Sequence, residues 1–165
     1  MKKLLLQYVQ YNCWANERIA EKLLSIDKVW FDKEIKSSFS SLRKTIFHIW
    51  DAELIWLNRI QGKSMDYWPS KTNLPGNDYN DTAIDKFPEV SEDFVKFVEK
   101  QEEDFFNSLC HYRTTEGKEQ SQVVSGITMH CMNHSTFHRG QFIMMLKSLD
   151  IDKLPSTDLI TYLRA

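Results

Sequence analysis

Residues 125–149 read SGITMHCMNHSTFHRGQFIMMLKSL, and the spacing of apolar residues in this segment is typical of a long helix. The segment carries His130, His134 and His138, which follow one another at intervals of four residues. Positions four apart on an α-helix lie about 40° apart around its axis, so these side chains share one face. Because two neutral imidazoles at this spacing can bind one metal ion, the segment predicts a helix with a candidate metal site.

A helical wheel of this segment indicates which histidines face the protein interior. With a step of about 100° per residue, the apolar positions form one stripe, made of Ile127, Cys131, Met145 and Leu149. His138 lies in the middle of the stripe and His134 at its shoulder, whereas His130 lies at its margin. We therefore predict that His134 and His138 form the inward pair and that His130 is a bystander. A core histidine that hydrogen-bonds to a neighbour gives the same pattern, so HxxxH alone leaves both interpretations open.

The composition predicts one globular domain over residues 1–165. A formal charge of −2 argues against nucleic acid as a partner. Three cysteines without a CxxC motif predict free thiols in a reducing compartment. The N-terminus shows no signal-peptide cleavage site, and no apolar run reaches the ~18 residues of a membrane span. We therefore expect a cytoplasmic protein with no membrane partner.

Helical periodicity recurs in three further segments, which predicts an all-α fold, a four-helix bundle. The predicted helices span residues 4–25, 41–60, 91–109 and 125–149, with a short terminal helix at 158–164. Ser40 or Ser41 is the expected cap of the second helix and Ser91 that of the third. Between the third and fourth helices, the Glu-Gly turn within residues 111–120 suggests a short hairpin.

A long crossover, residues 63–89, connects the second and third predicted helices. It lacks a sustained period and carries Tyr67, Trp68 and Tyr79. A connection of this length is usually functional or mobile. Its aromatic residues therefore form either the wall of a pocket or the packing of a simple connection.

Four polar residues occupy unusual positions on the first two helices. Asn12 and Asn16 lie in the apolar stripe of the first helix, where they either bond to neighbouring main chain or orient a ligand in the core. Glu53 lies in the apolar face of the second helix and is either a member of an ion pair or a site residue. His48 lies off that face beside small residues, so it is either a half-exposed histidine or a ligand with space around it.

Several common chemistries are excluded by their missing motifs. The chain contains no GxxxxGK[ST], GxGxxG or GxSxG sequence. Cys131 follows His130 where a zincin would have glutamate, and no histidine has the preceding glutamate of a di-iron bundle. A nucleophilic role for Cys131 conflicts with its place in the core stripe, so we expect this thiol to be inert.

Two segments, FHIWDAELIWLNRIQG (residues 47–62) and HCMNHSTFHRGQ (130–141), resemble the DinB family of small four-helix proteins. Two further segments resemble the family in the same order along the chain, namely YNCWANERI (11–19) and LPSTDLITYLR (154–164). The resemblance therefore covers nearly the whole chain. It implies a homodimer and a divalent metal, zinc or nickel, held by His48, His134 and His138.

The resemblance also suggests supporting residues and a function. Arg139 and Gln141 match the HRGQ motif and are expected to support the ligands, with Glu53 and Asn16 as further candidates to orient a ligand or water. Gly140 is expected to permit close helix contact. Some relatives are S-transferases that use bacillithiol, mycothiol or glutathione as a low-molecular-weight thiol.

Three hypotheses follow for this chain. The first is a metal-dependent S-transferase or hydrolase that acts on small electrophilic molecules in detoxification or stress. The second is a non-catalytic protein that binds a metal or small ligand, and the third is a scaffold bundle with hydrogen-bonded histidines. No motif in the sequence specifies the substrate or the thiol.

Overall fold

The computed structural model describes residues 1–71, 84 and 86–165 and is mostly helical, with one small antiparallel sheet. The helices are α1 (Lys2–Leu24), α2 (Leu42–Ile60), α3 (Phe87–Lys100), α4 (Val124–Ser148) and α5 (Leu159–Leu163), and the strands are β1 (Leu109–Arg113) and β2 (Glu119–Val123). Short 3-10 turns span Lys28–Trp30, Pro69–Lys71 and Glu103–Asn107. The prediction of a mostly helical fold is confirmed, and the two-stranded sheet lies where the Glu-Gly turn suggested a short hairpin.

The four longest helices of the described residues contact one another around a buried apolar interior. Helix α1 contacts α3 and α4, and α2 contacts the same two helices. Two clusters of buried apolar side chains fill the space between them, one around Phe94 and Phe106 and the other around Phe31 and Phe142. Burial of this apolar surface supplies the main favourable free energy of folding and brings α2 against α4.

Helix α2 begins after Ser41, one of the two caps that the sequence left open. Ser41 has an extended backbone, and its hydroxyl accepts a hydrogen bond from the main-chain N–H of Lys44 at 3.3 Å. Ser40 instead accepts a bond from the Lys44 ammonium at 2.9 Å. Ser41 therefore satisfies one of the free N–H groups of the first helical turn.

Helix α3 differs most from its predicted bounds. It begins at Phe87 rather than Ser91, with Pro88 in its first turn, where a missing N–H costs no hydrogen bond. Ser91 is therefore not the cap, and its buried hydroxyl donates to Glu53 at 2.6 Å. The helix ends at Lys100, because Gln101 has an extended backbone.

The predicted hairpin is confirmed and is longer than expected. Strands β1 and β2 pair from Leu109 opposite Val123 to Arg113 opposite Glu119. Gly117 has a φ of 81°, a backbone conformation that favours glycine, and completes the turn. Because β2 leads directly into α4, the hairpin lies next to the start of the helix that carries the histidines.

The chain after α4 runs back along the outer side of α1. The Tyr11 hydroxyl donates to the main-chain oxygen of Thr157 at 2.7 Å, and Arg18 Nε donates to that of Ser156 at 2.9 Å. Within the ranges that the structure describes, none of the helices has both the length and the apolar character needed to cross a bilayer.

Candidate metal centre

Helices α2 and α4 bring three imidazole rings to one point. His134 Nε2 lies 3.1 Å from His48 Nε2 and 3.1 Å from His138 Nε2. The three potential ligand atoms all lie within 4.8 Å of one another. Zinc–nitrogen bonds of about 2.0–2.1 Å in tetrahedral geometry separate two ligand nitrogens by about 3.4 Å. The spacing of these rings therefore fits a divalent metal, and the three histidines could hold one.

The hydrogen bond between His138 and Gln141 prepares one of these rings as a ligand. His138 Nδ1 lies 2.8 Å from Gln141 Oε1, while Gln141 Nε2 donates to the Ser38 hydroxyl at 3.0 Å. Since the amide oxygen can only accept, the ring proton sits on Nδ1 and the lone pair of Nε2 faces the other histidines. This is how a neighbouring acceptor commonly orients a metal-binding imidazole.

Burial keeps the imidazole rings of His134 and His138 neutral. Desolvation, followed by the neighbouring rings of His138, His48 and His130, lowers the pKa of His134 to about 3. Desolvation also lowers the pKa of His138, although its bond to Gln141 acts in the opposite direction. Because a metal binds the deprotonated nitrogen, neutral rings at pH 7 need lose no proton before they bind.

Aromatic side chains cover the rings on the α2 side. Phe39 stacks on His48 with 4.3 Å between ring centroids, and its centroid lies 5.5 Å from that of His138. Trp68 lies 5.3 Å from His48 on the same measure. The crossover therefore contributes a wall through Trp68, whereas Tyr67 is 40% exposed and Tyr79 lies outside the described residues.

Two cavities of about 260 Å³ each reach the group of three histidines, one at His134 and the other at His48. One is lined by His134 together with His130, Trp56, Arg59 and Tyr112, among others. The other is lined by His48 together with Phe39, Asp51 and Ser70, among others. Trp68 contributes to both cavities, so it lies between them. A small molecule in either cavity would contact one of the three imidazoles.

The inward and outward histidines of α4 lie as the helical wheel indicated. His138 is buried and His134 is half-buried, whereas His130 is exposed and stays outside the group of three. The ring of His130 instead contacts Trp56, with 5.4 Å between centroids.

Glu53 and the two asparagines belong to a buried network beside the histidines. Asn12 Nδ2 and Asn16 Nδ2 each donate to Glu53 Oε1 at 2.8 Å. Their amide oxygens accept bonds from Arg139 Nη1 at 2.5 and 2.8 Å. The asparagines therefore link a buried carboxylate to a buried guanidinium, and of the two interpretations left open, the one in which they bond to neighbouring main chain is wrong.

Two serines that the sequence did not single out as part of a site complete this network. The hydroxyls of Ser91 and Ser135 donate to Glu53 at 2.6 and 2.8 Å. Ser135 and Arg139 each directly follow a histidine of the group of three, so the network fixes α4 against the other helices. A serine within an apolar helical stripe is the sequence signal that could have revealed both hydroxyls.

Gly140 does not have the role that the sequence suggested. Apart from Gly140 itself, its two chain neighbours and the adjacent backbone of α4, no described atom lies within 4 Å of the position that a Cβ would occupy there. Gly140 is on the exposed side of α4, so the prediction that it permits close helix contact is wrong.

The three cysteines are free and buried. Desolvation raises the pKa of Cys131 well above its usual value and that of Cys13 to about 12, and it also raises the pKa of Cys110. A thiol that stays protonated is a poor nucleophile and a poor metal ligand. The burial of Cys131 and its raised pKa support the expectation that this thiol is inert, which stays a prediction.

The fold and the site together define a mostly helical protein in which two helices place three imidazoles where they could hold a metal ion. Residues 1–164 match the model of the DinB family, and the chain belongs to that family. It is similar to Protein DinB of Bacillus subtilis (strain 168), with 26% identity over 159 residues, which cover 93% of this chain and 90% of the relative.

Proposed function

We propose that this protein is a divalent-metal-dependent enzyme built on a four-helix bundle, with zinc or nickel bound by His48, His134 and His138. Its reaction is the transfer of a thiol to a small electrophilic molecule, or the hydrolysis of such a molecule. The observation that carries the proposal is the convergence of three Nε2 atoms beside two cavities. Three histidine ligands with space beside them are typical of catalytic rather than structural sites.

The chain's own residues prepare and shield this site. A divalent metal, when bound, supplies Lewis acidity that activates a water or a thiol. Gln141 holds the proton of His138 on Nδ1, and Phe39 and Trp68 exclude water from the faces of His48. The two cavities supply separate places for a thiol and for its electrophilic partner.

Family membership and composition support a wider setting for this function. We infer a cytoplasmic homodimer that acts on small molecules in detoxification or stress, with a low-molecular-weight thiol as its second substrate. The formal charge of −2 gives no electrostatic reason to expect nucleic acid as a partner.

Metal content is the first test. The protein is purified without a histidine tag from medium with zinc or nickel, and the bound metal is measured by mass spectrometry. We expect about one ion per chain in the wild type, and loss of most of it in His138→Ala. The matched control is His130→Ala, which removes an imidazole from the same helix and should keep the metal. Equal metal content in all three proteins would contradict the site.

Activity is the second test. The metal-loaded protein is incubated with an epoxide or chloro-aromatic substrate, with and without bacillithiol, mycothiol or glutathione. Product formation that needs the thiol indicates an S-transferase, and product formation without it indicates a hydrolase. Bound metal without turnover in either assay would instead support a non-catalytic metal- or ligand-binding protein.

A further inference from the structure

Arg59 is a buried cation at the end of α2. Its side chain is 6% exposed. Its Nε donates to the main-chain oxygen of Met65 at 3.1 Å, and its Nη2 donates to that of Arg113 at 3.0 Å. A guanidinium has five N–H donors, so these two bonds leave part of its hydrogen-bonding capacity unused.

No carboxylate pairs with Arg59 in the part of the chain that the structure describes. Asp66 and Glu116 are the acidic residues whose charges act on it, and neither lies within 4.0 Å as an ion-pair partner. Desolvation is the main cause that lowers the pKa of Arg59. A buried cation without a counter-charge is costly, so its surroundings favour an anion.

Arg59 faces the same cavity as the candidate metal ligand His134. Its guanidinium carbon lies 4.7 Å from the ring centroid of Trp56 and 4.8 Å from that of Tyr112. These two rings lie 5.2 Å apart, so the cation and the rings form a compact triangle. Both rings, Arg59 and His134 line the cavity of about 260 Å³. A molecule that fills this cavity contacts the cation and the imidazole together.

We infer that this cavity binds a small organic acid, with its carboxylate on Arg59 and its opposite end at His134. The inference rests on the proposed function, because it specifies a class of substrate for the same site. A guanidinium presents a planar fork of donors that matches the two oxygens of a carboxylate. The aromatic walls suit a flat or apolar body between the two ends of such a molecule.

Binding of benzoate to the metal-free protein tests the inference. Benzamide is the matched probe, since it has the same shape without the negative charge. We expect calorimetry to show benzoate binding at least tenfold more tightly than benzamide, and Arg59→Gln to abolish that preference. Equal affinity for the two probes would overturn the inference. A purely structural role for Arg59, as an anchor of the hairpin, predicts no such preference.

Two further variants keep the test decisive. Arg113→Gln removes a cation from the nearby hairpin surface, where it pairs with Glu119, and should leave benzoate binding unchanged. Thr115→Trp keeps Arg59 and fills the cavity that Thr115 lines, so it should weaken benzoate binding at least tenfold even if Arg59→Gln fails to fold. Unchanged binding in Thr115→Trp, or an equal loss in Arg113→Gln, would overturn the inference.

The metal-free protein separates this inference from the proposed function. Absence of metal or of turnover in the loaded protein would overturn the proposed function, while charge-selective binding of benzoate would stand. Conversely, metal binding and turnover with equal affinity for benzoate and benzamide would overturn only the inference that Arg59 binds a carboxylate.

Discussion

A single hydrogen bond from His138 to Gln141 determines which ring nitrogen is available to a metal. We predict that Gln141→Leu weakens metal binding about 10- to 100-fold, because the ring loses the acceptor that holds its proton on Nδ1. Competition with a chelating indicator measures the affinity. Gln141→Glu is the control, since its carboxylate is also an acceptor and should retain tight binding. Equal loss in both variants would contradict the assigned role of this bond.

The lowered pKa of His134 predicts that the metal-free protein loses stability in acid. In the unfolded chain this histidine has its ordinary pKa of 6.5, whereas in the folded protein the pKa is about 3. Between these values the unfolded state binds more protons, so the free energy of unfolding falls as the pH falls, by at most about 1.4 kcal/mol per pH unit. Urea unfolding at pH 7.5 and pH 5 measures the change.

The acid sensitivity should be smaller when the titrating ring is removed. His134→Gln keeps a polar side chain but cannot take up a proton in this range. We expect a smaller fall in its free energy of unfolding between pH 7.5 and pH 5 than in the wild type. An identical fall would assign the acid sensitivity to other groups.

The polar network shows how one interaction can hold several elements together. Glu53 from α2 and Arg139 from α4 are both buried, and the side chains of α1 connect them. Removing one charge leaves the other buried without its partner, so we predict that Arg139→Leu lowers the free energy of unfolding by about 3–5 kcal/mol. Chemical denaturation measures this loss. The exposed Arg113→Leu is the control, expected to change stability by less than about 0.5 kcal/mol.

A double variant tests whether the two charges act through the same network. Arg139→Leu combined with Glu53→Gln removes both charges, so the combined loss should be smaller than the sum of the single losses. Strict additivity would show that the two residues stabilise the fold independently.

At the scale of elements, periodic segments could be predicted from the sequence and polar contacts between elements could not. Helix α4 begins within one residue of its predicted start, because its apolar stripe is continuous. The predicted start of α3 was wrong, because serine is a common helix cap and Ser91 matches that pattern. Its hydroxyl instead donates to the carboxylate of Glu53 on α2. The partners of Asn12 and Asn16 lie on α2 and α4, and no local pattern in α1 specifies them.

At the scale of the whole molecule, a metal bound between α2 and α4 should stabilise the entire fold. Because an ion that binds only the folded state shifts the equilibrium by mass action, zinc at 100 times its dissociation constant should add about 2.7 kcal/mol. Thermal unfolding with and without zinc measures the effect, and a chelator should reverse it. His138→Ala should unfold at the same temperature with or without zinc.

The position of His48 shows what the sequence alone leaves open in the candidate site. On the helical wheel it lies off the main apolar face of α2. The local pattern therefore fitted a half-exposed surface histidine as well as it fitted a ligand. Only the packing of α2 against α4 brings its ring to His134. Resemblance to the family suggested that contact, whereas the periodicity of each helix taken separately could not. The position of Arg59 beside the cavity could not be predicted, because its environment depends on the hairpin.

The burial of Cys13, Cys110 and Cys131 has a practical consequence for the chemistry of this protein. Its own sulfhydryl groups are enclosed and protonated. The folded polypeptide should therefore react very little with alkylating reagents or with Ellman's reagent. Any sulfhydryl consumed in a reaction mixture would then come from the added co-substrate, which makes a simple colorimetric screen of electrophiles interpretable.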